Sequence, residues 1–224
     1  MEAADLGVRL CQSAAREVYL CYCITALPVF ALCLATYEIA GWLPLLLIWW
    51  FKPWLDRTVL FVLSRAAFGQ TTTVNDLIHN QRRVLWSQWL LSVSLRRLSP
   101  WRSFTQPVYQ LEGLGFMKAR QRVRQIRRGR TTPATLMTSA FCVTETVLMV
   151  ALISLIFWFT PGPSDPFAPG VMSSLEFPIT CAYGLAILFL EPFFVAAGFA
   201  MYLNRRAQLE AWDIEQELRR AFQT

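Results

Sequence analysis

Apolar residues gather along this chain in long runs, broken by shorter polar stretches with a helical repeat. The runs cover Val18 to Tyr37, Ile39 to Leu63, Leu136 to Phe159 and Phe177 to Leu203. Each is close to the ~20 residues that cross ~30 Å of hydrocarbon as a helix. Between and beyond them the apolar positions fall on single helical faces. Leu6, Leu10 and Ala14 share one in residues 1–17, and Leu77, Val84, Leu91, Leu95 and Leu98 share another in a helix predicted over Val74 to Leu98. From Val84 to Leu95 the apolar residues, Trp86 and Trp89 among them, spread all round that helix, which predicts packing against the spans or the headgroup layer. In the tail, Ala207, Ala211, Ile214, Leu218 and Phe222 oppose Glu210, Asp213, Glu217 and Arg220.

The pattern predicts an all-α chain, a polytopic helical membrane protein with about four transmembrane helices plus interfacial and cytoplasmic amphipathic helices. Residues 1–224 then form a single membrane domain. It comprises an interfacial helix (1–17), spans one and two (18–65), a basic cytoplasmic region (66–132), spans three and four (133–203) and a tail helix (204–224). Pro100 and Pro107 are expected to break the central region, and Glu112 to Arg128 to restart it as a basic segment. Thr132 with Pro133 reads as the N-cap and first turn of span three. The breaker-rich stretch 161–170 is an external loop too short for a domain.

The second run is open to two readings. As one helix from Trp42 to Arg65 it is about 35 Å long and carries Lys52 to mid-membrane beside Pro53. If it leaves the bilayer near Leu55, Lys52 snorkels to the cytoplasmic headgroups and Thr58 to Phe68 lies along the surface.

Composition fits a membrane chain: 55% of residues are hydrophobic and 16% charged, too lopsided for a soluble core. The first 17 residues have no apolar core or small-residue cleavage site, so the first span is expected to be retained. The six cysteines lie in or beside apolar runs without a CxxC pair and read as small hydrophobes rather than metal ligands.

Charge supplies orientation. Apart from Lys52 and Arg57, all Lys and Arg fall before residue 17, between Arg65 and Arg130, or after Leu203. The positive-inside bias places both termini and the central region in the cytoplasm. The net charge of +6 is then a footprint of topology and needs no nucleic-acid partner. The tract Lys118, Arg120, Arg122, Arg124, Arg127, Arg128 and Arg130 either only fixes topology or also holds anionic lipids or an acidic partner. No aromatic residues interleave with it to stack on RNA bases.

Catalytic motifs are absent: there is no GxSxG, HExxH or phosphate-cradling glycine loop. The lone histidine, His79, reads as solvated. No enzyme activity and no cofactor are expected. The sharper candidates are charges inside the apolar runs, Lys52, Asp56, Arg57, Glu145 and Glu191. Such residues usually face protein or water. At 1.5 Å per residue Glu145 lies about 14 Å from the cytoplasmic end of its span, Glu191 about 18 Å and Lys52 about 20 Å, so they can meet. Pro192 removes the backbone bond to the Leu188 carbonyl, and Ala196, Ala197, Gly198 and Ala200 leave room for a neighbouring helix. A structural ion pair of Glu191 with Lys52 or Arg57, and a proton or solute pathway, both fit.

The strings EPFFVAAGFAMYLNRRAQLEAWDIE (191–215) and FKPWLDRTVLFVLSRAAFG (51–69) resemble a group of bacterial inner-membrane proteins related to the membrane domain found with glycerophosphoryl diester phosphodiesterases. Some members continue into an extracytoplasmic domain and are encoded near MoxR-type ATPases and transglutaminase-like proteins. The resemblance implies a multi-pass location in the bacterial inner membrane and other envelope proteins as partners, and supplies no catalytic residues. The expected role is a non-catalytic component or scaffold of an envelope assembly. A small transporter or channel using Glu145, Glu191 and Lys52, and a membrane enzyme on lipid-linked substrates, are the alternatives.

Overall fold

The computed structural model describes the backbone of residues 2–86, 99–159 and 171–222, and their side chains except at 83, 156, 157, 159, 171–174 and 212–222. The expectations for Leu91, Leu95, Leu98 and Trp89, for the loop 161–170, and for the side chains of Ile214, Leu218 and Phe222 lie outside the described residues. Among the described residues every regular element is helical: α1 (Glu2–Ser13), α2 (Ala15–Leu34), α3 (Leu43–Ala66), α4 (Val74–Gln81), α5 (Arg102–Leu111), α6 (Phe116–Arg127), α7 (Thr131–Phe159) and α8 (Val171–Phe222). A 3₁₀ turn (Ala35–Glu38) follows α2, and a π-helical turn (Arg82–Trp86) follows α4. Three stretches are long and apolar enough to cross a membrane, Ala15–Glu38, Thr131–Leu155 and Leu175–Ala211. Helix α3 has comparable length but carries Lys52, Asp56, Arg57 and Arg65.

The central element is α8. Of its apolar stretch 67% is buried, against 33% for α2 and 6% for α7, so the others are arranged around it. It packs against α1, α3, α5 and α7, while α2 lies mainly on α3. The row of small residues predicted to admit a neighbour admits two. Gly7 of α1 sits so close to the Ala196 carbonyl that a Cβ there would lie 2.3 Å from its oxygen, and a Cβ on Gly198 would lie 2.4 Å from that of Ser103 in α5. Helix α1 therefore docks through Gly7 and Cys11, with Leu10 and Ala14 partly covered, and Leu6 is left exposed. Of the predicted apolar face only Leu6 is turned outward, because the facing surface of α8 is built for close backbone contact at Gly7.

Helix α3 runs unbroken through Pro53, and Thr58, Val59, Leu60, Val62 and Leu63 are all buried. Neighbouring helices cover these residues, whereas Ala67 and Phe68 beyond them are exposed. Pro107 likewise lies inside α5 rather than breaking the chain. Phe104 and Val108 bury one side of that helix, and Gln106 and Gln110 donate to the Pro53 and Arg57 carbonyls at 3.4 and 2.8 Å. The segment 99–111 is thus inserted into the helix body between α3 and α8. The start of α7 falls at Thr131, one residue before the expected cap, with the Ala134 N–H directed to the Arg130 carbonyl.

Of the rest of the central region, Trp54 of α3 donates to the Leu85 carbonyl at 2.9 Å, and the Thr72 N–H to Glu17 at 2.8 Å. Val84 and Leu85 are buried and Trp86 is exposed. Helix α6 buries Ala119, Val123 and Ile126, a single helical stripe, against the body. The tail is a direct continuation of α8 through Phe222 rather than a separate helix.

Candidate functional site

Four helices each bring charge to one place. Helix α3 supplies Lys52 and, one turn later on the same face, Asp56. Glu145 comes from α7, Glu191 from α8 beside its Pro192, and Arg102 from the first turn of α5. They form a continuous chain. Lys52 Nζ lies 2.6 Å from Glu145 Oε2 and 2.8 Å from Glu191 Oε2. Arg102 Nη2 lies 2.8 Å from Glu191 Oε1 and 3.0 Å from Asp56 Oδ2. Both oxygens of Glu191 are therefore bridged, each by a different cation from a different helix. The guanidinium of Arg102 also stands over the Phe194 ring, 5.5 Å from its centroid.

Burial is deep at the centre and shallower at one end. Asp56 is 0% and Glu191 2% exposed, whereas the Glu145 side chain keeps 18% of its surface. Desolvating charges is costly, so an arrangement of this kind holds only with close partners on every acid. Three carboxylates share two cations here, leaving one negative charge in surplus if all five are ionised. A cavity of about 310 Å³ opens on the Glu145 side, lined by Lys52, Glu145, Glu191 and Arg102 and by Trp49 and Tyr183 among its apolar walls. Below it, Thr138 donates to the Pro100 carbonyl at 2.6 Å and Trp101 to the Thr135 hydroxyl at 2.9 Å, fastening the first turns of α7 to the start of α5.

Of the charges singled out in the sequence, Lys52, Asp56, Glu145 and Glu191 come together. Arg57 is buried on α3, but the second cation on Glu191 is Arg102. Sequence reasoning missed Arg102 because it lies in a stretch counted as cytoplasmic and bracketed by prolines. The signal available was the spacing of Phe104, Val108 and Leu111, the apolar stripe of a short helix after Arg102.

The basic tract is divided by the fold. Lys118, Arg120, Arg124 and Arg128 are exposed along α6 and just after it. Arg122 pairs with Glu112 at 3.5 Å, Glu112 accepts from the Tyr202 hydroxyl at 2.7 Å, Arg127 lies 3.6 Å from the Trp101 ring centroid, and Arg130 donates to Gln208 at 3.0 Å. Three of the seven residues thus serve packing: Arg122 and Arg127 attach α6 to the two ends of α5, and Arg130 ties the start of α7 to α8. His79 lies on the exposed side of α4, its Nδ1 2.9 Å from the Asn75 carbonyl oxygen. Comparison of the chain with family models, curated proteins and solved structures found no match, so a functional reading rests on this geometry.

Proposed function

We propose that this chain is a multi-pass protein of a bacterial inner membrane, with α2, α3, α7 and α8 crossing and both termini cytoplasmic, and that it serves as a non-catalytic component or scaffold of an envelope assembly. The supporting observation is the double bridge on Glu191, which ties α3, α5 and α8 together through Lys52 and Arg102 in a site with almost no surface. Ion pairs on both oxygens of Glu191 fix helix packing and leave that carboxylate no open oxygen for proton exchange or catalysis. In this reading the exposed Lys118, Arg120, Arg124 and Arg128 face the anionic cytoplasmic leaflet or an acidic partner.

A second reading, a small transporter, draws on the cavity beside Glu145 and Lys52. The two separate in proteoliposomes loaded with a pH-sensitive dye. A scaffold gives no proton-coupled flux, and Glu191→Gln lowers stability in detergent. A variant that keeps its stability while abolishing a flux present in the parent overturns the scaffold and installs the transporter.

A further inference from the structure

A second cavity, of about 410 Å³, opens between the first turns of α1 and α7 and the stretch of α8 where its apolar run ends. Its walls divide by chemistry. Phe104, Pro133 and Met201 form an apolar part; Arg130, Arg205, Asn204 and Gln208 form a polar part, with Glu2 and Ala3 completing the lining. The amide oxygen of Gln208 accepts from Arg130 Nη2 at 3.0 Å and from Arg205 Nη1 at 3.4 Å, and Arg205 Nη2 donates to the Arg128 carbonyl at 3.1 Å. A neutral amide therefore gathers two guanidiniums. Neither is ion-paired with a carboxylate of the described residues, and Arg205 Nε is buried without a hydrogen-bond partner. Holding two like charges together is unfavourable unless an anion shares them. Guanidiniums suit phosphate oxygens through paired N–H donors.

Position narrows the anion further. Arg130 immediately precedes α7, and Arg205 stands two residues after Leu203, where the last apolar run ends. Two arginines at the ends of two spans, beside an apolar wall, match a ligand with a phosphate at one end and hydrocarbon at the other. We propose that this cavity binds the headgroup of an anionic phospholipid, its phosphate between Arg130 and Arg205 and its glycerol and acyl end against Phe104, Pro133 and Met201. The inference rests on the membrane reading above. It assigns the lipid to Arg130 and Arg205, a place distinct from the exposed arginines of α6.

The test uses the full chain purified in a neutral detergent and offered dioleoyl phosphatidylglycerol, dioleoyl phosphatidylcholine or soluble glycerol phosphate, with bound lipid counted by native mass spectrometry and thermal unfolding followed in parallel. One phosphatidylglycerol is expected to be retained by the parent and by Arg120→Gln with Arg124→Gln. Arg130→Gln and Arg205→Gln should each weaken it about fivefold. Glu2→Gln should tighten it, since that carboxylate is the one acid in the lining; this arm holds even if an arginine variant folds poorly. Equal retention of phosphatidylcholine, equal stabilisation by glycerol phosphate, retention unchanged in both arginine variants, or weakening by Glu2→Gln would each overturn the lipid site. Alkaline extraction of native membranes separates the two levels: a chain that washes out overturns the membrane reading beneath, whereas one that stays and shows no preference overturns only this site.

Discussion

With Glu191 neutralised, Lys52 still has Glu145 and Arg102 still has Asp56, so two one-to-one pairs remain. Without Lys52, Glu145 loses its partner in the chain and Asp56 and Glu191 must share Arg102. Lys52→Met is therefore expected to lose about 3–5 kcal/mol, and Arg102→Met a similar amount, because each leaves a buried carboxylate uncompensated. Glu191→Gln should lose only about 1–3 kcal/mol, the loss of two buried charge-assisted hydrogen bonds less the relief of the surplus charge. Unfolding in a single detergent ranks the three; Glu191→Gln as the most damaging would contradict the charge count. Adding Glu145→Gln to Lys52→Met should recover part of the loss. The meeting of Lys52, Glu145 and Glu191 was legible in the sequence because depth along a straight helix follows from residue counting. Arg102 was not, because counting along spans says nothing about a short helix that enters the bundle from outside them.

Local geometry makes sharper demands on whole helices. Even Gly7→Ala would set a Cβ against the Ala196 carbonyl, so Gly7→Val should release α1, read as fast hydrogen exchange over residues 2–13 with slow exchange kept in α8. The hydrophobic pattern could not reveal this docking, since it scores Leu6 above glycine while close-packed helices favour the smaller residue. Helix α4 is held at its start by a reciprocal cap. The Asp76 N–H donates to Thr73 Oγ1 at 3.3 Å, and the Thr73 N–H to Asp76 Oδ2 at 2.9 Å. The bond from the Thr73 backbone, then that from its hydroxyl, holds the Asp76 carboxyl below its ordinary 3.8. A lowered folded-state value means that the stabilisation is complete above 3.8 and disappears as pH falls through the lower folded value. Exchange in α4 should accelerate in that acid range, and Thr73→Ala, at about 1 kcal/mol, should bring the acceleration to neutral pH.

For the molecule as a whole, orientation is the first thing to establish. In intact cells an impermeant thiol reagent should label Ala40→Cys and Ser164→Cys and leave Arg120→Cys unlabelled, in a background without the native cysteines; outside labelling of Arg120→Cys would sink the topology. The all-helical class and three of the long apolar helices were legible because apolar runs of membrane length leave few other structures open. The interior of the central region was not, since Pro100, Pro107 and the arginines read as punctuation and topology while α5 and α6 use the same residues as packing. The 52 residues of α8 form one helix about 78 Å long, against ~30 Å of hydrocarbon. A rod of that length transmits torque. Any protein that grips the C-terminal end twists the shaft bearing Glu191, and Pro192 is the weak joint at which the twist would gather. Load on the tail would then be felt at Lys52 and Arg102 without a loop to absorb it.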